Sequence, residues 1–261
     1  MVSHPAYGQF REVAPFASVL LADNPSIMTL DGTNSWVLRA PGASASVVVD
    51  PGPHDTVHLA QLADAGAVEL ILVTHHHGDH TGGMAAFASR VRAPVRAFDP
   101  SWCLRGPALC DGETLEAGGL ELRIMHTPGH TSDSISVAVQ HDGASATLTG
   151  DTVLGRGTTV IAHPDGTLGE YLDSLRRLAD CPQGTLVLPG HGPELPDLAA
   201  TAHEYLAHRE QRLDQVRAAL AQLGPDASPR EVVEVVYADV DPALWGPAEY
   251  SVRAQLEYLR G

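Results

Sequence analysis

The chain contains no lysine. All 16 of its basic residues are arginine, set against 32 acidic ones, for a formal net charge of −16. That balance argues against a protein that coats nucleic acid non-specifically, because such binding draws on clustered positive charge. It leaves room for a local basic patch, or for a metal-centred site that handles anionic groups. Cysteine is scarce: Cys103, Cys110 and Cys181 form an odd, irregularly spaced set without a C-x-x-C pair. This predicts ordinary reduced thiols in a cytoplasmic protein. Long apolar runs are missing too. No stretch approaches the roughly 20 residues a membrane helix needs, and the opening "MVSHPAYGQFREVAP" lacks the charged start and apolar run of a secretory leader.

What is present suits a packed interior. With 261 residues, of which 44% are hydrophobic, the chain has room for one large domain, or one domain with a small appendage. Strand-like runs recur at Ser35–Ala40, Ser46–Asp50, Val68–His75, Leu120–His126, Ile135–Gln140, Ala146–Asp151 and Thr185–His191. The run "VELILVTH" is almost continuously apolar, as expected of a strand covered on both faces. Helical patterns lie between the runs, at Asp55–Gly66, Gly82–Arg90 and Gly169–Asp180. Strands and helices therefore interleave up to Pro196, which predicts sheets covered by helices.

Composition shifts at Asp197. Apolar residues then recur at helical spacing (Leu198, Ala202, Tyr205, Leu206, Leu213, Val216, Leu220), and no strand of any length is evident. A Ser followed by Pro marks another helix start near Ser228, and an amphipathic pattern closes the chain. The expected division is residues 1–196 and a small helical domain at 197–261.

The stretch "THHHGDHTGG", Thr74 to Gly83, places four histidines and an aspartate within six positions at the end of a buried strand. Alternation along the extended part puts His75 and His77 on one side and His76 on the other. Asp79 and His80 follow a turn at Gly78 and can point back into the same space. Imidazole and carboxylate are what zinc and similar divalent ions accept. Three later strands also run into Gly-flanked polar residues: His130 in "HTPGHTSDS", Asp151 in "LTGDTVLG" and His191 in "LVLPGHGP". Each is weak alone. Jointly they mark one place where strand ends converge.

In these residues the chain resembles the metallo-β-lactamase-fold superfamily: H-x-H-x-D-H (His75, His77, Asp79, His80), then His130, Asp151 and His191, over Met28 to about Pro193. The resemblance implies an α+β fold, an αββα sandwich with two metal ions at one edge. One ion would take His75, His77 and His130; the other would take Asp79, His80 and His191; Asp151 would bridge them. Asp50 matches the acid that orients a metal-bound histidine. The implied chemistry is hydrolysis by a hydroxide held between two divalent ions, Zn(2+) foremost, with Mn(2+) or Fe(2+) as alternatives, and with Asp79 orienting the nucleophile.

His77 stands where redox di-iron relatives carry Glu, which favours a hydrolase. Local strings, "GTNSWVL", "GDTVLGRGTTV" and "LPGHGP" with the C-terminal pattern, resemble the lactamase-β-like subgroup. It includes a mitochondrial single-strand endoribonuclease and fungal polyketide thioesterases, and carries a winged-helix-like C-terminal domain. The resemblance leans to a phosphodiester substrate, single-stranded RNA, with a thioesterase of polyketide or glyoxalase type and a non-catalytic scaffold as alternatives. For RNA, phosphates would meet Arg156, Arg176, Arg177, Arg209 and Arg212, though each also suits a solvated charge. For a small ester or thioester, Trp36, Arg156 and Tyr171 are the candidate substrate-binding residues. The C-terminal domain is expected to pack over the site mouth, as a gate or a dimer element, more than to read nucleic acid.

Overall fold

The computed structural model describes residues 4–261. Its first sheet runs in chain order: β1 (Phe10–Ala14), β2 (Ala17–Leu21), β3 (Asn34–Leu38), β4 (Ser46–Val49), β5 (Val68–Leu72) and β6 (Val95–Arg96). The second contains β7 (Thr114–Ala117), β8 (Leu120–His126), β9 (Ile135–His141), β10 (Ala144–Gly150) and β11 (Leu186–Pro189), in the spatial order β11-β10-β9-β8-β7. Helices α1 (Thr56–Asp64), α2 (Gly78–Thr81), α3 (Met84–Val91), α4 (Leu168–Ala179), α5 (Leu198–Leu223), α6 (Pro229–Val236) and α7 (Trp245–Arg260) complete it.

Side-chain alternation builds the layers. In β5, Leu70 and Leu72 enter the core between the two sheets, while Ile71 and the following Val73 face the outer layer with Leu59, Leu62, Met84 and Phe87 of α1 and α3. The apolar run is thus explained by burial on both faces. Between the sheets, Leu38, Val47 and Val49 meet Leu122, Ile124, Ile135 and Val137. Behind the second sheet, Leu172, Leu175 and Leu178 of α4 pack with Ala202, Tyr205 and Leu213 of α5. The architecture is a two-sheet sandwich flanked by helices, the αββα layout expected.

Helix α5 has 26 residues and serves two cores. Its first half belongs to the sandwich; its second half, through Val216 and Ala219, packs on Val232 and Val233 of α6 and Val252 and Leu256 of α7. A capping box starts α6: the Ser228 hydroxyl accepts from Glu231 N, and the Glu231 carboxylate accepts from Ser228 N at 2.8 Å. Among the described residues no strand follows β11, so this C-terminal unit is helical.

Two differences from the sequence reading have physical causes. The β1–β2 hairpin was not expected there, because β1 is an exposed edge strand carrying Arg11 and Glu12, with Pro15 beside its turn. And β5 stops at Leu72 rather than His75. The chain leaves the sheet there because Asp50, held at φ 52, draws Thr74 away, accepting from its N at 2.8 Å and its hydroxyl at 2.6 Å.

Candidate metal centre

Strand ends of both sheets meet at one edge. Parallel pairing of β10 with β11 sets Gly150 against Pro189, so Asp151 and His191 leave the second sheet side by side. Asn34 of β3 ties the first sheet to that edge, its N donating to Gly190 O at 2.8 Å. From β5 the chain passes through His75 and His77 into the single turn of α2, whose first peptide groups are closed by His80 N and Thr81 N donating to His77 O, each at 3.0 Å. That turn carries Asp79 and His80 back towards the strand ends. A side chain at Gly190 would spoil the arrangement. Its Cβ would overlap the Asp151 carboxylate and approach His80 Cε1 at 2.8 Å.

The seven side chains converge. His75 Nε2 lies 3.1 Å and His130 Nε2 3.0 Å from His77 Nδ1. Asp79 Oδ2 lies 3.2 Å from both His80 Nε2 and His191 Nε2. Asp151 sits between the two groups. Its Oδ2 is 3.3 Å from His191, 3.7 Å from His130 and 3.9 Å from His75, and its Oδ1 is 3.6 Å from His80. Three overlapping sets result: His75 with His77 and His130; Asp79 with His80 and His191; and Asp151 with His75 and His80.

The outward hydrogen bonds decide what the cage can hold. His80 Nδ1 meets Asp50 Oδ2 at 2.8 Å, His130 Nδ1 meets Val160 O at 2.6 Å, and His191 Nδ1 meets Gly32 O at 3.0 Å. His75 Nδ1 lies 3.1 Å from the Thr74 hydroxyl, whose proton goes to Asp50. These four Nδ1 atoms therefore donate outward, and each Nε2 faces into the cage, where the neutral ring offers a lone pair. The inward nitrogens crowd to within 3.0–3.4 Å of one another, and Asp151 Oδ1 is buried with no hydrogen-bond partner. A cation satisfies all of these atoms at once, so the residues fit divalent metal ions.

Protonation responds to the same crowding. Burial opposes charge on His80, but Asp50, Asp79 and Asp151 outweigh it and raise its pKa well above the ordinary value. His191 is pushed up to about 9: burial opposes the charge, and Asp151 and Asp79 override it. Burial and the neighbouring His130 push His77 down to about 4. Burial would raise the Asp79 carboxyl, but His80 and His191 hold it far below the carboxylate range. The carboxylates thus demand positive charge at the centre, which a dication also supplies.

His76 points away, its Nδ1 2.9 Å from Asp133 Oδ1 and its ring stacked on Trp102. Two substrate candidates are placed differently from expectation. Trp36 lies in the core between the sheets, its indole N–H bonding Pro189 O at 3.0 Å, because β3 turns it inward. Tyr171 is fully buried on α4 and donates to Thr152 O at 2.8 Å. Neither lines the cavity beside the cage. Arg156 does border the cavity beside the cage, paired with Asp31. Arg176 pairs with Asp173 and Arg177 with Asp111, both on the surface. Arg209, read as a candidate solvated charge, is instead 3% exposed and donates to Thr159 O.

Sequence reasoning missed Thr33, whose hydroxyl bonds Asp79 Oδ2 at 3.0 Å, and Thr74, which links Asp50 to His75. Both flank motif residues, but nothing in spacing singles out a threonine. It also missed Tyr205, which holds the loop after β10 through Leu154 N at 3.1 Å and Gly157 O at 2.9 Å.

A cavity of about 580 Å³ opens beside the cage at His130 and Asp151. The loop Ser26–Leu30, the loop Leu154–Val160 and the C-terminal helical unit enclose it, the last through Tyr237, Val240, Leu244 and Ala248.

A two-sheet sandwich with a His/Asp cage able to bind metal ions at its strand ends defines a class, the metal-dependent hydrolases of this layout. Residues 28–191 match the metallo-beta-lactamase superfamily model, and residues 228–260 match the beta-lactamase associated winged helix domain. The chain belongs to the metallo-beta-lactamase superfamily, and it is a metallo-beta-lactamase-like hydrolase. It is 31% identical to a beta-lactamase-like protein 2 homolog of Drosophila melanogaster, over 92% of this chain and 86% of that one. It is 31% identical to an atrochrysone carboxyl ACP thioesterase of Aspergillus chevalieri, over 84% and 70%. A beta-lactamase domain protein from Burkholderia ambifaria shares the fold with a TM-score of 0.83 at 24% identity, covering 98% of this chain and 89% of that one.

Proposed function

We propose that this protein hydrolyses acyl thioesters, with His75, His77 and His130 holding one divalent ion, Asp79, His80 and His191 a second, and Asp151 reaching both. The observation that carries the substrate class is the apolar wall of the cavity: Ile27, Met28, Leu30, Leu154, Val160 and Val240 lead to the cage. Such a wall takes up an acyl chain by burying it from water. A similar thioesterase from Aspergillus chevalieri supports the reading.

Bound there, a pair of divalent ions would supply Lewis acidity that lowers the pKa of water and polarises the carbonyl oxygen. The chain's own residues do the rest. Asp79 is anchored through one oxygen by Thr33 and remains about a quarter exposed at the side chain. It orients the attacking water, and the proton that water gives up leaves on the thiol as the carbon–sulfur bond breaks. Asp50 holds the His80 ring, and Val160 O holds that of His130. The cavity walls exclude bulk water, strengthening every charge interaction at the reacting carbonyl.

The phosphodiester reading, with single-stranded RNA, is second. Arg156 and Arg212 on the cavity wall favour it, while the acidic total and apolar lining oppose it. A cytoplasmic setting belongs to the same proposal, on the three unpaired cysteines. None of the described helices is long and apolar enough to cross a membrane. The test is a side-by-side assay of zinc- or manganese-loaded protein on an octanoyl thioester, single-stranded RNA, a simple phosphodiester and a β-lactam, with Asp79→Asn as blank. Thioester turnover that disappears in the blank is expected. RNA cleavage without thioester turnover overturns the proposal.

A further inference from the structure

The cavity has a charged side that the chemistry above does not use. His208 and Arg209 lie four and three residues before Arg212 on α5, so each neighbours Arg212 on the helix surface, and all three line the cavity that contains His130 and Asp151. Arg209 is 3% exposed. It donates to Thr159 O and lies 4.9 Å from the centre of the Tyr171 ring, yet its buried Nε has no hydrogen-bond partner. His208 Nδ1 is likewise buried without a partner. Arg212 bonds the neutral Gln215 at 2.8 Å and sits over the Tyr237 ring at 4.5 Å.

Neither arginine has an acidic partner among the described residues, whereas Arg156 on the same cavity is neutralised by Asp31. Acidic residues outnumber basic ones two to one in this chain, 32 against 16. An enclosed guanidinium left without a carboxylate is costly unless something else meets its charge. Paired donors on a rigid helix face suit an oxyanion, which accepts several charge-assisted bonds at once.

We propose that His208, Arg209 and Arg212 form an anion subsite that receives a phosphate or carboxylate on the substrate while its reacting carbonyl lies at the cage. The inference rests on the thioesterase reading for what carries the anion. Two sources fit: a phosphate on the thiol arm, or a carboxylate at the far end of the acyl chain. The two arginines gain an anionic partner only when substrate is bound, so the subsite discriminates among thioesters and adds nothing to the cleavage step.

The test uses Arg212, which has the lighter structural load. Three thioesters are compared on metal-loaded wild type, Arg212→Gln and Arg212→Lys. They are octanoyl-N-acetylcysteamine (neutral), octanoyl-phosphopantetheine (phosphate on the thiol arm) and the N-acetylcysteamine monothioester of suberate (carboxylate on the acyl end). Arg212→Gln is expected to raise KM by about 10- to 100-fold for one anionic substrate, leaving kcat and the neutral substrate largely unchanged. Arg212→Lys recovers part of the loss. Which anionic substrate suffers identifies the source. Equal changes for all three, or none, overturn the subsite. A second arm needs no turnover: phosphopantetheine and suberate are titrated calorimetrically at low and raised salt. One of them is expected to bind, to weaken with salt, and to lose binding in Arg212→Gln at unchanged metal content. If neither binds the wild type, the subsite is refuted whatever the enzyme hydrolyses. If one binds through Arg212 while no thioester is cleaved, the subsite stands and the thioesterase reading fails.

Discussion

The cage and the cavity beside it are built by opposite means. Each cage residue emerges at the end of a sheet strand or from the turn that follows one, and most of its polar contacts are buried and paired. The cavity is assembled from two loops and the C-terminal helical unit, with Ile27 and Met28 about half exposed on its lip. On the proposed reading, rigid sheet ends fix the chemistry, and the two loops and the C-terminal unit choose what reaches it. The two should fail differently: cage variants lose rate or metal with every substrate, and cavity variants lose affinity for some.

The largest expected effect breaks the cage without touching its ligand nitrogens. Asp79→Asn should lower kcat by about 10²- to 10⁴-fold while circular dichroism and the thermal midpoint stay close to wild type. Near-wild-type turnover would remove Asp79 from the chemistry. Next is Asp50→Asn, which removes the carboxylate that meets His80 Nδ1 and accepts two bonds from Thr74. Metal affinity, measured by competition with a chelator, should fall by about 10- to 100-fold. Unchanged affinity would mean that the His80 ring is held by packing alone.

A third prediction concerns pH and the back of the cage. His58 bonds the Ser35 hydroxyl at 2.9 Å beside the Gly52 turn that follows Asp50. Burial pushes it down to about 4. The folded state thus binds a proton less readily than the unfolded one, so this contribution is complete above the ordinary value of about 6.5 and is lost as pH falls towards 4. Between pH 7 and 5 the loss should be about 2 kcal/mol. Denaturant melts of wild type and His58→Leu should show a shallower decline in the variant; parallel declines would contradict the assignment. The smallest effect belongs to the cavity. Val240→Asp should raise KM for the octanoyl thioester by about tenfold and leave an acetyl thioester unaffected. A matching fall in kcat for both would show that cavity and cage are not separable.

The same contrast explains what was legible in the amino-acid sequence. Strand β8 could be read with its observed ends, Leu120 and His126, because apolar and polar residues alternate from Leu120 to Ile124. The cage residues were legible because each ends a local pattern, an apolar strand running into a Gly-flanked polar group. The cavity was not, since its walls join Ile27 to Ala248 and no local pattern records that meeting. Trp36 and Tyr171 show the limit from the other side. An aromatic residue near a motif in sequence looks the same whether it lines a pocket or fills a core, and here β3 and α4 turn both inward. Thr33 was invisible because its role depends on a hydroxyl reaching Asp79 across 46 positions.

The most direct check on the account is the metal content of the purified, folded chain after equilibration with zinc or manganese and removal of excess ion. About two equivalents per chain are expected, as a two-metal site requires, with weaker retention in Asp151→Asn. A folded protein that retains no divalent ion would contradict it, because the inward nitrogens of His75, His80, His130 and His191 and the carboxylates of Asp79 and Asp151 would then not act as metal ligands.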